Sequence, residues 1–341
     1  MTEHSKIPVP DDGNARRDGA RSSIERATAA FDLNSLIAPL TALPPDGRHT
    51  AVSEGSAELA TAMAPLAENR PAVSTPEAVS AAAQPIASVE PSRVEFHGEA
   101  HHVDRDRLRE EGLIVPEGTV TALLEEFRII KRQILVQAAD LRRQKAGTAA
   151  QRILISSPHP GEGKTYTSLN LALSIAAEKE SEVLLVDADF AKPSILSALG
   201  LPGGPGLMDA LMDETINAAD CVLGTDIPGL WVLPAGDTSN HDSEYLSSSR
   251  TRRVLDGLTS GAPNRIVIFD SPPALAASPA AELAKYVGQV VVVVRADSTG
   301  QGALEDAISL LSACPNVQLL LNGAQFSPSG RRFGTYYGYK G

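Results

Sequence analysis

The nine residues Ser157-Pro158-His159-Pro160-Gly161-Glu162-Gly163-Lys164-Thr165 constrain this chain more than any other feature. They follow a short β-branched run, Arg152 to Ser156, and they open a helical pattern that runs from Lys164 towards Glu178. A glycine-rich turn between a strand and a helix lets backbone N–H groups approach phosphate oxygens closely, and the helix start adds its positive dipole end. Lys164 supplies a point charge there, and Thr165 offers a hydroxyl of the kind that holds Mg2+. Loops of this type usually begin with glycine. Here that position is Pro158, which fixes φ, so the loop must open differently while its phosphate-facing half stays intact. The expected ligand-binding residues here are Pro160, Gly161, Glu162, Gly163, Lys164, Thr165 and Tyr166, with the phosphates on Gly161 to Thr165.

The pattern around the loop fixes the fold class. Val183 to Val186, Trp231 to Leu233, Ile266 to Phe269, Gln289 to Arg295 and Val317 to Leu321 read as further strands. Helical patterns lie between them at 207–214, 247–260, 278–286 and 301–313, and another runs from a cap at Thr119 or Thr121 to Lys145. Continuous apolar strands alternating with helices indicate a parallel sheet covered on both faces. The expectation is a three-layer α/β fold of the P-loop NTPase type over residues 106–326, with a mostly parallel sheet. Aromatic residues are only 4% of the chain, so its core must be built from Val, Ile, Leu and Ala.

Two acidic motifs complete the chemistry. Leu184-Leu185-Val186-Asp187-Ala188-Asp189-Phe190-Ala191-Lys192-Pro193 puts two carboxylates at the carboxyl end of a strand, the edge where open α/β sheets bind ligands. Ile266-Val267-Ile268-Phe269-Asp270-Ser271-Pro272-Pro273 ends four apolar residues in an acid, which places Asp270 near a phosphate-bound Mg2+. In isolation the first pair could be a helix cap and the second a turn-forming aspartate. Beside the glycine-rich loop the chemical reading prevails.

The remainder of the chain is of a different kind. Residues 1–105 are dominated by Ala, Pro, Ser and charged residues, too little apolar surface to offset the entropy of ordering, so disorder is expected. Within it, Ile24 to Leu43 is amphipathic enough for a transient helix. His101 and His102 have no third ligand at a plausible spacing, and Cys221 and Cys314 read as small buried hydrophobes in a reducing cytosol. Met1 to Asp11 is polar, so no secretory signal is expected, and no apolar run approaches the roughly 18–20 residues that span a bilayer. A net charge of −12 argues against nucleic acid as a partner. A flexible tail is expected over residues 327–341, where Tyr336, Tyr337 and Tyr339, half of the chain's six tyrosines, sit among glycines with nothing to pack against.

Together, SxPxPGEGKT, VDADxxKP and FDSPP resemble the bacterial polysaccharide-linked tyrosine kinases (BY-kinases) over residues 110–341. The EEFRIIK start of the helical segment is most similar to the branch encoded with exosortase-type exopolysaccharide systems. The resemblance implies a tyrosine autokinase using ATP and Mg2+, with Lys164, Asp187, Asp189 and Asp270 as catalytic residues. Thr165, Asp189 and Asp270 would hold the metal, Asp187 would accept the tyrosine proton, and Asn322 would lie on the adenine side. It also implies autophosphorylation of Tyr336, Tyr337 and Tyr339, one subunit's tail entering its neighbour. Glu125, Arg128 and Lys131 match an ExxRxxR helix that mediates ring-like self-association, with lysine in place of the last arginine. A separate membrane-bound polysaccharide co-polymerase would activate this cytoplasmic chain at the inner face of the plasma membrane. A partitioning-type ATPase switch and a non-catalytic nucleotide-binding regulator remain as alternatives. The first usually carries a second lysine early in its loop, where this chain has His159 and Pro160.

Overall fold

The computed structural model describes residues 93–237 and 241–324. Its strands are β1 (Ala100–His101), β2 (Arg152–Ser156), β3 (Glu182–Asp187), β4 (Leu223–Thr225), β5 (Leu230–Leu233), β6 (Arg265–Asp270), β7 (Gln289–Arg295) and β8 (Val317–Asn322). Its helices, labelled in chain order, are α1 (Arg105–Glu110), α2 (Ala122–Arg143), α3 (Lys164–Ala176), α4 (Ile195–Leu199), α5 (Leu207–Met212), α6 (Asp242–Ser247), α7 (Ser249–Thr259), α8 (Pro279–Ala284) and α9 (Gln301–Leu310). The strands form one sheet in the order β1-β4-β5-β3-β6-β2-β7-β8. From β5 to β8 every pairing is parallel, and β4 runs antiparallel to β5. This is the three-layer P-loop NTPase fold that the alternation of strands and helices predicts.

Side chains on a strand alternate between faces, so each central strand feeds two cores. Leu154, Leu184, Val186, Val267, Phe269, Val290 and Val292 join the core that α5 to α9 cover. Their neighbours Ile153, Ile155, Val183, Leu185, Ile266, Ile268, Val291 and Val293 join the core that α3 covers. Helix α3 is buried continuously from Thr167 to Ala176, because α2 lies over its outer side. Thr121 starts α2 by accepting from the Leu124 N–H at 3.2 Å.

Order begins earlier in the chain than the composition suggests. Residues 93–105, read from sequence as part of a disordered segment, are built into the fold. β1 pairs with β4, Phe96 sits edge-on to Trp231 at 5.5 Å, and the buried Arg265 guanidinium lies 3.8 Å over the Phe96 ring. The Arg265 side chain also donates to the Val94 carbonyl at 2.8 Å. One aromatic and one buried arginine thus anchor a stretch whose average composition is that of a linker. Residues 1–92, including the amphipathic stretch Ile24 to Leu43, and the tail with Tyr336, Tyr337 and Tyr339 lie outside the described residues.

Candidate active site

Three parallel strands deliver the expected groups to one edge. Asp187 and Asp270 are register partners at the ends of β3 and β6, and Ile155 of β2 pairs with Asp270 from the other side. The glycine-rich loop leaves β2 one residue later and enters α3 at Lys164. Gly161 and Gly163 take φ of 78° and 101°, the left-handed region that favours glycine. Gly163 also has no room for a side chain, since a Cβ there would lie 2.1 Å from Asn322 Nδ2.

Lys164 Nζ donates to Asp189 Oδ2 at 2.9 Å, which joins the loop to the carboxyl end of β3. Asp270 is fully buried. Its Oδ1 accepts from Ser168 Oγ at 2.9 Å, whereas its Oδ2 has no hydrogen-bond partner among the described residues. A buried carboxylate oxygen left unpaired is costly unless a cation takes it. Burial raises the Asp270 pKa to about 7, and Asp187 pushes in the same direction, against the Thr165 hydroxyl, Lys164 and Ser168. The orphaned oxygen, with the Thr165 hydroxyl beside the same carboxyl group, fits a hard divalent cation with oxygen ligands.

Asp187 is 1% exposed and closes the start of α4. Its Oδ2 accepts from the Ser194 and Ile195 N–H groups at 2.9 and 3.0 Å, and its Oδ1 has a longer contact, 3.3 Å, with the Asp189 N–H. Burial lifts its pKa to about 6, although these N–H donors pull it down. Asp187 thus caps the start of α4 while its burial pushes the carboxyl group towards neutrality.

Two expected site residues face elsewhere. Tyr166, expected among the nucleotide contacts, turns its hydroxyl away to donate to the Gly112 carbonyl at 3.0 Å, with its ring edge-on to Phe127 at 6.5 Å. It ties α3 to the segment before α2. Lys131, expected at a subunit interface, points into the fold. Its Nζ donates to the Ser174 carbonyl at 3.1 Å and pairs with Glu178 at 2.8 Å. Lysine there caps one of the last carbonyls of α3, where a cation also meets the negative end of the helix dipole. Glu125 and Arg128 pair with each other, and Arg128 stands exposed. His102 meets Asp226 at 2.6 Å.

Sequence reasoning missed Ser168, Arg295 and Thr299. Arg295 ends β7 and Thr299 lies four residues beyond it, and that position at the ligand-binding edge was the available signal. Asn322, at the end of β8, donates from Nδ2 to the Glu162 carbonyl at 2.9 Å.

Comparison with known proteins bears on the family and the fold. The AAA_31 family model, an AAA domain, matches residues 150–322. The tyrosine-protein kinase YwqD of Bacillus subtilis is 30% identical over 219 residues, which is 64% of this chain and 86% of YwqD. The tyrosine-protein kinase ptk of Acinetobacter johnsonii is 32% identical over 153 residues, 45% of this chain but 20% of that longer protein. Among solved structures, the chimerical protein CapA2B2 is 26% identical with a TM-score of 0.50, over 64% of this chain and 99% of that one. The kinase domain of the Escherichia coli tyrosine kinase ETK, at 22% identity and a TM-score of 0.51, covers 68% of this chain and 98% of its own, and shows the shared fold.

Proposed function

This chain belongs to the bacterial tyrosine-protein kinase family, and from that premise we propose that it transfers the γ-phosphoryl group of ATP to Tyr336, Tyr337 and Tyr339 of a neighbouring copy. The observation that carries the reading is the Lys164–Asp189 pair beside the unpartnered Oδ2 of buried Asp270. That arrangement has a cation for phosphate and a vacant oxygen ligand for a metal on the same edge.

In this reading the N–H groups of Gly161 to Thr165 hold the phosphates, and Lys164 leaves Asp189 to meet the negative charge of the transferred group. Thr165, Asp189 and Asp270 would hold Mg2+, which when bound would offset the negative charge of the phosphates. The acceptor's phenolic oxygen forms a bond to the γ-phosphorus as the bond to the β-bridging oxygen breaks, and ADP leaves. The phenolic proton passes to Asp187, through Oδ1, whose contact with the Asp189 N–H is long at 3.3 Å. Tyrosine ionises near pH 10, so an acceptor tuned towards neutrality is of use.

The wider setting is part of the same proposal. Relatives named as kinases suggest that this chain, too, serves the control of exopolysaccharide or capsule synthesis, with a separate membrane co-polymerase as activator at the inner membrane face. No helix among the described residues is long and apolar enough to cross a membrane. The copies would associate in a ring through the α2 face that carries Glu125 and Arg128.

The test is a mixture of two proteins. A tail-less active chain is incubated with full-length Lys164→Met protein, Mg·ATP and, where needed, a co-polymerase fragment. Phosphate on the tail of the Lys164→Met protein is expected. ATP hydrolysis with no phosphotyrosine in any arm would favour the ATPase switch instead.

A further inference from the structure

The ends of β7 and β8 reach across to the phosphate loop, and nothing in the phosphoryl-transfer chemistry above uses them. Arg295 and Asn322 are register partners at these ends. Arg295 Nη1 donates to the Gly161 carbonyl at 3.2 Å, and Asn322 Nδ2 donates to the Glu162 carbonyl. In a trans peptide the C=O and N–H point in opposite directions. Holding the Gly161 carbonyl towards Arg295 therefore turns the Glu162 N–H the other way. Holding the Glu162 carbonyl on Asn322 does the same for the Gly163 N–H.

Glu162 is the third connection. A carboxylate inside a phosphate loop is an electrostatic liability, because it would repel the ligand the loop exists to bind. Here it is 3% exposed and fully occupied, accepting from the His159 N–H at 2.8 Å and from the Thr299 hydroxyl. The Thr299 hydroxyl oxygen in turn accepts from the Arg295 N–H at 3.0 Å. The turn that presents Thr299 holds Asp297 at φ 62°, a left-handed conformation that a non-glycine residue adopts at a cost.

We infer that Arg295 and Asn322, holding the Gly161 and Glu162 carbonyls, and Thr299, holding the Glu162 carboxylate, form a clamp that aims two backbone N–H groups of the loop at the nucleotide phosphates and keeps the Glu162 charge away from them. These are positioning residues for nucleotide affinity, and the inference rests on the nucleotide-binding reading above. Arg295 and Thr299 test it most cleanly, because neither is expected to touch the nucleotide, whereas Asn322 is.

Titration calorimetry of the full chain with Mg·ADP is the experiment, with thermal melting of each nucleotide-free variant alongside. Arg295→Ala and the isosteric Thr299→Val are expected to weaken binding about tenfold, while Arg295→Lys and Thr299→Ser, which keep a donor, bind within about threefold of wild type. In the kinase assay the KM for ATP rises by a similar factor, and kcat at saturating ATP changes less than about threefold. Wild-type affinity in both Arg295→Ala and Thr299→Val would overturn the clamp while leaving the nucleotide reading intact. No binding of Mg·ADP by folded wild-type protein would overturn the nucleotide reading and the clamp together.

Discussion

At the scale of single residues, the site is governed by charge that the fold takes out of water. Asp270 is the clearest case. Burial raises its pKa to about 7 in the folded chain, against about 3.9 for an unfolded aspartate. Between those values the folded state holds a proton that the unfolded state has released, so this group costs stability increasingly as pH rises through the window. Lys164, Thr165 and Ser168 oppose the shift, and Asp187 adds to it. A metal ion binds only the ionised form, so it recovers that cost most fully at the alkaline end. In metal-free protein, Asp270→Asn should therefore be more stable than wild type at pH 8, on the order of 2 kcal/mol, with the advantage shrinking towards pH 5. The same variant should lose its Mg2+-dependent rise in melting temperature. Urea unfolding across this pH range, with and without Mg2+, measures both; a difference that stays flat with pH would contradict the assignment of the cost to Asp270.

At the scale of elements, α2 shows how far a motif can be read without its surroundings. Spacing alone puts Glu125, Arg128 and Lys131 along one helix face, but the packing of α2 on α3 divides them. Lys131 is 9% exposed and spends its ammonium group on the end of α3, whereas Arg128 looks outward. Lys131→Met should cost about 1–3 kcal/mol by leaving the Ser174 carbonyl and Glu178 without their donor, with little change in self-association. Arg128→Glu should do the reverse. Urea unfolding and sedimentation velocity separate the two effects, and dissociation by Lys131→Met at unchanged stability would refute this division. The strands and the phosphate loop were legible because their apolar runs and glycine spacing are local properties. Gln289 to Arg295 was read at its observed bounds as β7, and α3 starts at Lys164 as expected. The destinations of long side chains were not legible. Nothing near Tyr166 in sequence announces Gly112, and nothing near Phe96 announces Arg265, because those contacts join residues far apart in the chain. For the same reason Arg295 and Thr299 escaped notice although the edge they occupy was already identified.

At the scale of the whole molecule, the fold, the loop and the family membership agree on phosphoryl transfer, and the open question is where the phosphate goes. The chain already carries a net charge of −12, and each phosphotyrosine would add about −1.5 to −2. Three of them on one tail would repel a neighbouring acidic copy, a physical route by which phosphorylation loosens an assembly. The decisive measurement is mass spectrometry of the C-terminal peptide after the purified full-length chain, with and without a co-polymerase fragment, is incubated with Mg·ATP. Phosphate on Tyr336, Tyr337 or Tyr339 in wild type, absent from Lys164→Met protein, is the predicted result. Unmodified tyrosines in both arms, from wild-type protein that still hydrolyses ATP, would contradict it.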